Sequence, residues 1–196
     1  SPDAPGGLCP LCERPGPPHA ACEETICSRK GYHRLTDAEL LAAKQARRHL
    51  DPLIGRSVGG WLVLGELGSG AFGTVFVAER EDGLRSALKV LARPADDPHE
   101  NASALKKFQL ETDALGALRH PGIVGLYNSG TFEDRPWLAM ELVAGGLTLK
   151  KEIENRRLAG HGMPRTFALA MLDQLLDALH TAHTSPQRIV HRDIKP

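Results

Sequence analysis

Three glycines near the middle of the sequence are spaced so that a backbone loop could bind phosphate. The segment Gly68-Ser-Gly70-Ala-Phe-Gly73-Thr-Val75 fits the pattern G-x-G-x-x-G-x-V, in which residues without a Cβ let backbone N–H groups approach phosphate oxygens. Taken alone, the segment fits a glycine-rich hairpin turn equally well. A dinucleotide-binding loop is disfavoured, because such a loop leads into a helix and the residues after Gly73 are typical of a strand.

A lysine and a glutamate further along could form a buried ion pair. Lys89 lies within the apolar run Ala87-Leu-Lys-Val-Leu91, where an unpaired ammonium group would be costly. Glu111 lies on a predicted helix beside the apolar Leu115 rather than on an evidently solvated face. A salt bridge from strand to helix fits both positions. The alternative is a lysine whose ammonium group reaches solvent and a glutamate on the surface.

The sequence ends in His191-Arg-Asp193-Ile-Lys195-Pro196, directly after the apolar pair Ile189-Val190. A carboxylate in such a position could accept a proton in a reaction. By residue chemistry alone, however, Asp193 between Arg192 and Lys195 could equally be an ion-paired turn.

Four cysteines near the start have the spacing of a metal site. Cys9-Pro-Leu-Cys12 is a C-x2-C pair, and the other two cysteines follow ten and fifteen residues after it, which together predict a zinc site of the ribbon type. The second pair is spaced C-x4-C, and His19 or His33 could replace one cysteine. Free thiols in a disordered tail, or two disulfides in an extracellular setting, are the alternatives. The predicted ligands are Cys9, Cys12, Cys22 and Cys27.

The elements that must position these groups follow from hydrophobic periodicity. The predicted strands are 61–64, 74–78, 87–91, 123–127 and 137–142, with 128–135 as the last turn. One helix is predicted over 103–119, where His120-Pro121 breaks the pattern, and another over 165–183. Leu172, Leu175, Leu176 and Leu179 mark the predicted buried face of the second helix. A small antiparallel sheet with one helix, followed by a helical region, makes an α+β fold.

Composition changes divide the chain into four predicted regions: a Cys-rich segment (1–33), a linker helix (34–55), a small β-rich lobe (56–146) and the start of a helical lobe (147–196). The linker helix begins with a capping box, Thr36 with Glu39, and a hydrophobic staple, Leu35 with Leu40. Asp51-Pro52 ends it.

Charge and hydropathy exclude several classes of partner. The 24 lysines and arginines balance the 24 aspartates and glutamates, so no overall field favours nucleic acid or an anionic membrane. No apolar run approaches the length of roughly 20 residues that spans a bilayer, and the Pro- and Gly-rich start lacks a signal-peptide core. We therefore expect a cytoplasmic protein.

The glycine loop, the strand lysine, the helix glutamate and the His-Arg-Asp segment occur in an order that resembles the protein kinase family. The resemblance covers about 56–196 and implies a kinase N-lobe, a five-stranded antiparallel sheet plus one helix, followed by the first helices of the C-lobe. It further implies ATP and Mg²⁺ as cofactors and protein substrates with Ser or Thr acceptors. Lys195 fits the Ser/Thr-specific pattern, and small zinc segments precede similar bacterial kinases.

The resemblance also implies a role for each matching residue. Gly68, Gly70 and Gly73 would cover the ATP phosphates, Lys89 would bind the α- and β-phosphates, and Glu111 would orient Lys89. The adenine pocket would consist of Leu67, Val75 and Ala87, the gatekeeper Met140, and the hinge backbones of Glu141 and Val143. Leu115, Leu126 and His191 would stack between helix and sheet. Asp193 would accept the substrate's hydroxyl proton, Lys195 would contact the transferred phosphate, and Arg192 implies control by activation-loop phosphorylation.

The family's magnesium ligands, an asparagine soon after Pro196 and a later Asp-Phe-Gly aspartate, are not among the 196 residues. We therefore expect an incomplete catalytic domain that transfers no phosphate at an appreciable rate on its own. The alternative function is that of a pseudokinase, a nucleotide-binding module that regulates a partner without catalysis.

Overall fold

The chain forms two compact units. The computed structural model describes residues 6–46, 49–70, 73–92, 98–191 and 194–195. The first unit consists of Ser1–Phe108 and Tyr127–Leu142, and the second of Gln109–Leu126 and Val143–Pro196. Among the described residues, no helix is long and apolar enough to cross a membrane. The four predicted regions remain predictions about boundaries.

The Cys-rich segment folds as a small sheet with one short helix. Strands β1 (Gly7–Leu8), β2 (Pro15–Gly16) and β3 (Leu35–Thr36) pair in the order β2-β1-β3, and helix α1 (Thr25–Arg29) lies between β2 and β3 along the chain. We call residues 6–36 the cysteine module. Three of its cysteines and Tyr32 form its own small buried cluster.

Helix α2 (Asp37–Ala46) begins with the predicted capping box. The backbone N–H of Thr36 donates to Glu39 Oε2 at 2.9 Å, and the N–H of Glu39 donates to Thr36 Oγ1 at 3.2 Å. Leu35 and Leu40 are both buried in one cluster, as the staple requires. These local hydrogen bonds fix where α2 begins, and so where its apolar residues point.

The main sheet has six strands in the order β4-β5-β6-β7-β9-β8. They are β4 (Ser57–Val58), β5 (Trp61–Gly70), β6 (Gly73–Arg80), β7 (Arg85–Leu91), β8 (Leu126–Phe132) and β9 (Arg135–Glu141). The five longer strands are the predicted five-stranded antiparallel sheet, and β4 extends it by two residues. β5, β6 and β7 form a meander, because each pairs antiparallel with the next.

Strand register divides the sheet into two faces. Phe76 pairs with Leu88, which pairs with Ala139, so their side chains share one face. We call this the back face; its residues are Phe76, Ala78, Leu88, Val90, Trp137 and Ala139, and all are buried. Leu40 and Ala43 of α2 lie in the same hydrophobic cluster, so α2 covers the back face.

The fourth predicted strand is wrong in position. The sequence predicts 123–127, whereas β8 is Leu126–Phe132. The predicted turn 128–135 shortens to Glu133 and Asp134, whose φ angles of 47° and 61° belong to a two-residue hairpin turn. Most of β8 is polar and exposed, and an edge strand of that kind gives no hydrophobic signal.

The second unit is helical. Helix α3 (Pro98–Ala117) continues into it from the first unit, and a 3₁₀ turn (Ala144–Gly146) precedes α4 (Leu149–Leu158) and α5 (Arg165–Thr184). The predicted leucine face of α5 is wrong for the described residues, since Leu172 and Leu176 are about half exposed. Its buried residues are Ala178 and Ala182, whose small side chains allow close approach.

The loop after α3 is fixed to α5 by a histidine. The backbone N–H of Gly122 donates to His120 Nδ1 at 2.9 Å, so that nitrogen is the acceptor. His120 Nε2 therefore carries the proton and donates to Asp177 Oδ2 at 3.0 Å. The side chain of His120 is largely buried, while that of Asp177 is exposed.

Candidate functional site

The glycine loop lies at the end of the β5–β6 hairpin. Gly68 pairs with Val75 and Gly70 with Gly73, while Ala71 and Phe72 lie outside the described residues. Gly73 has a φ of 135°, and a Cβ there would meet the Val90 carbonyl oxygen and lie 2.9 Å from the Cα of Leu91. The chain therefore needs glycine at this position to fold as it does.

Gly68 and Gly70 differ from Gly73 in their surroundings. A Cβ on Gly68 or Gly70 would have no described atom within 4 Å, and neither φ is positive. Packing against the described residues thus does not require glycine at either position, and both glycines are exposed. Close approach of a ligand to the backbone is a reason for glycine that the fold itself does not supply.

Four predicted nucleotide-binding residues share the face opposite α2. Val75 pairs with Lys89, which pairs with Leu138, and Ala87 on the neighbouring rung pairs with Met140. We call this the front face. Sequence reasoning missed Leu138, which is fully buried beside Lys89; the period-two step back from Met140 was the signal that could have identified it.

Lys89 is half-buried in the middle of β7. Its neighbours on the front face, Val75 and Leu138, are apolar. Glu111 is half-buried on α3. Lys89 belongs to the first unit and Glu111 to the second, and their ion pair stays a prediction.

The predicted hinge begins where β9 ends. Glu141 is the last residue of β9 and pairs with Ser86 of β7, whereas Val143 is exposed just before the 3₁₀ turn. Of the predicted catalytic segment, Lys195 and His191 are exposed. Arg192, Asp193 and Pro196 lie outside the described residues.

The four cysteine sulfurs converge as predicted. All four Sγ atoms lie within 4.8 Å of one another, with Cys9 and Cys27 at 3.7 Å and Cys12 and Cys22 at 3.6 Å. Tetrahedral ligands about 2.3 Å from zinc are about 3.8 Å apart, which these two distances match. No disulfide joins the four cysteines in this structure.

The local backbone explains why the sulfurs converge. In the Cys9–Cys12 turn, the N–H of Glu13 donates to the Cys9 carbonyl at 2.9 Å, and Glu13 takes a positive φ of 59°. Cys27 lies on α1. His19 does not replace a cysteine, since its Nε2 lies 3.0 Å from both carboxylate oxygens of Glu39. His33 bonds instead to the Gly31 carbonyl.

The thiols have unequal acidities. A hydrogen bond from the backbone of Arg14 lowers the pKa of Cys12 to about 7, while burial raises the pKa of Cys22 and of Cys27. Cys9, Cys22 and Cys27 are buried together in one small cluster, with Cys12 packed against it. A divalent cation would be the charge that stabilises them as thiolates.

A glycine loop, a strand lysine and a two-faced antiparallel sheet followed by helices define the fold of a kinase N-lobe. The sequence model of the family described as "Protein kinase domain" matches residues 61–196. The chain belongs to the protein kinase family.

Similar proteins include bacterial serine/threonine kinases. Serine/threonine-protein kinase PknJ of Mycobacterium tuberculosis is 37% identical over 131 residues, 66% of this chain and 20% of that protein. Serine/threonine-protein kinase PknF of the same species is 32% identical, covering 72% of this chain and 28% of that protein. The crystal structure of the M. tuberculosis PknI kinase domain superposes with a TM-score of 0.57 at 28% identity, covering 76% of this chain and 55% of that chain. The chain thus spans 20% and 28% of the length of these two curated relatives.

Proposed function

We propose that the protein carrying this chain is an ATP-dependent protein kinase that transfers phosphate to Ser or Thr. The observation that supports this most strongly is the front face. Strand register groups Val75, Lys89, Ala87 and Met140 on one side of the sheet, next to two glycines that the fold itself does not require. Family membership supplies the class of reaction.

The proposed roles are those that the kinase family implies for the matching residues. Backbone N–H groups of 68–73 bind the phosphates, Lys89 pairs with the α- and β-phosphates, and Glu111 orients Lys89. Adenine lies against Leu67, Val75, Ala87 and Met140 and bonds to the backbones of Glu141 and Val143. Asp193 accepts the proton of the substrate hydroxyl, and Lys195 stabilises the transferred phosphoryl group. Magnesium, when bound with ATP, neutralises charge on the phosphates.

The competing function is that of a pseudokinase that binds nucleotide without phosphotransfer. The intact glycine loop and the presence of both Lys89 and Asp193 favour the enzyme, because a module that only binds nucleotide has no need of the base. Protein substrates are implied by the family alone.

The test is transfer of radiolabelled phosphate from ATP to protein Ser or Thr, using this segment extended to a full kinase domain. Asp193→Asn should reduce the transfer rate by a factor of about 10²–10⁴ while nucleotide affinity is retained. Lys89→Met should reduce both the transfer rate and the nucleotide affinity. Nucleotide binding with no transfer in the unmodified protein would reject the kinase proposal and support the pseudokinase.

We further propose that Cys9, Cys12, Cys22 and Cys27 hold one Zn²⁺ as a structural site. Four thiolates and no open coordination position leave the metal no substrate to bind. Cysteines that bind zinc must stay reduced, which fits a reducing compartment, and we propose the cytoplasm. Less than about a tenth of an equivalent of zinc in the purified protein would contradict this assignment.

A further inference from the structure

The cysteine module is joined to the nucleotide-binding sheet rather than separated from it. We propose that metal occupancy of the four-cysteine cluster controls the folding stability of that sheet, so that the metal is a structural cofactor of the kinase lobe. This proposal rests on the metal site proposed above and is independent of phosphotransfer.

The first link is a shared hydrophobic core. Leu35, from the last strand of the module, is fully buried in one cluster with Trp61, Phe76 and Leu88 of the main sheet. Leu35 pairs with Leu8, the residue before the first cysteine. The module therefore cannot unfold without exposing apolar surface that the sheet also buries.

Tyr32 is the second link, because it belongs to the cysteine cluster and also contacts the segment before the sheet. Its N–H donates to the Cys27 carbonyl at 3.0 Å, and its carbonyl accepts from the N–H of Cys22 at 2.9 Å. Its hydroxyl donates to the Pro52 carbonyl at 2.7 Å. Movement of the cysteines thus displaces a buried aromatic ring that is fixed at both ends.

Arg56 is the third link, and it reaches the far edge of the sheet. Its Nε donates to the Lys30 carbonyl of the module at 2.7 Å, and another guanidinium nitrogen donates to Glu133 at 2.6 Å. The guanidinium also lies 5.9 Å from the Tyr32 ring centroid and 4.8 Å from that of Phe132. Glu133 is in the hairpin turn that leads into β9, the strand that carries Leu138 and Met140 of the front face.

The module needs a bound metal to be stable. Its private core is four residues, of which three are cysteines and one is Tyr32, and so small an apolar core does not stabilise a fold without a crosslink or a metal. Binding free energy of a structural metal is then folding free energy. Because the module contacts the sheet at these three places, the free energy of metal binding also stabilises the sheet.

Fluorescence of the two tryptophans follows unfolding of the main sheet, because neither tryptophan lies in the cysteine module. The chain has only Trp61 and Trp137, both buried in the main sheet. Thermal unfolding of the 196-residue chain is followed by their fluorescence before and after removal of zinc with a chelator, and zinc release is measured separately with a chromogenic chelator. We expect one transition, whose midpoint falls by roughly 10 °C when the metal is removed.

Two variants separate coupling from metal binding. Arg56→Met keeps the methylene stem but removes the hydrogen bonds, and should reduce the metal-dependent shift to about half or less while zinc stoichiometry stays at one. Arg29→Met, at an exposed arginine of the same module, should keep the full shift. Release of zinc with an unchanged tryptophan transition would overturn the coupling, and an unchanged shift in Arg56→Met would overturn the link through Arg56. Absence of zinc from the untreated protein would overturn the metal site itself.

Discussion

We expect Gly73 of the loop to be needed for folding, and Gly68 and Gly70 to be needed for nucleotide binding. Gly73→Ala forces an alanine into a φ of 135°, a region that costs about 1–3 kcal/mol for a residue with a Cβ. The new Cβ also meets the backbone of Val90 and Leu91, and overpacking of this kind costs about 1–3 kcal/mol more. We therefore expect a loss of about 2–6 kcal/mol, or roughly 5–20 °C in the unfolding midpoint.

The matched controls are Gly68→Ala and Gly70→Ala. No described atom lies within 4 Å of a Cβ at either position, so their stability should change by less than about 1 kcal/mol. Both should nevertheless weaken nucleotide binding in the full domain, because a methyl group would hold phosphate away from the backbone. Urea unfolding followed by tryptophan fluorescence measures the first effect, and nucleotide titration the second. Equal destabilisation by Gly70→Ala and Gly73→Ala would refute the division.

Two further predictions concern polar contacts of single side chains. Burial raises the pKa of Glu39, but hydrogen bonds from His19 and the capping box outweigh it and hold that pKa below its usual value of 4.5. Glu39→Ala should therefore cost about 0.5–2 kcal/mol at pH 7, and the difference from the unmodified protein should shrink as pH falls through the lowered pKa; a pH-independent difference in urea unfolding would contradict this. His120→Ala removes a largely buried side chain and its hydrogen bond from the exposed N–H of Gly122, and should cost about 0.5–1.5 kcal/mol. Asp177→Ala, at the exposed end of the same contact, should cost less than His120→Ala in the same assay.

The chemistry-bearing part of the fold could be predicted because its residues are locally constrained. Lys89 can be identified because a charged residue inside an apolar strand needs a partner or a function. The Thr36–Glu39 capping box can be identified because its two hydrogen bonds join residues only three positions apart. The strand period of two then places Val75 and Lys89 on one face once pairing is known. Local rules of this kind can be read without a structure.

What the sequence could not predict depends on contacts between distant residues. Arg56 and Glu133 are 77 positions apart, and nothing in the local sequence of either indicates the other. The predicted strand 123–127 differs from β8 because β8 is mostly exposed and its side-chain contacts are with a distant residue, as in the stacking of Tyr127 on Trp61. The attachment of the cysteine module to the back face could not be predicted for the same reason, since the amphipathic pattern of 34–55 fits either a spacer or a docking helix.

The position of the cysteine module along the chain has a consequence for the order of events during synthesis. All four cysteines and the whole of α2 leave the ribosome before the first long strand of the main sheet, at about 5–20 residues per second. Metal capture and the docking of Leu35 against α2 can therefore precede the sheet, giving the emerging strands an apolar surface to add to. A cell short of zinc during translation would then lose newly made protein first, while molecules already assembled with metal persist.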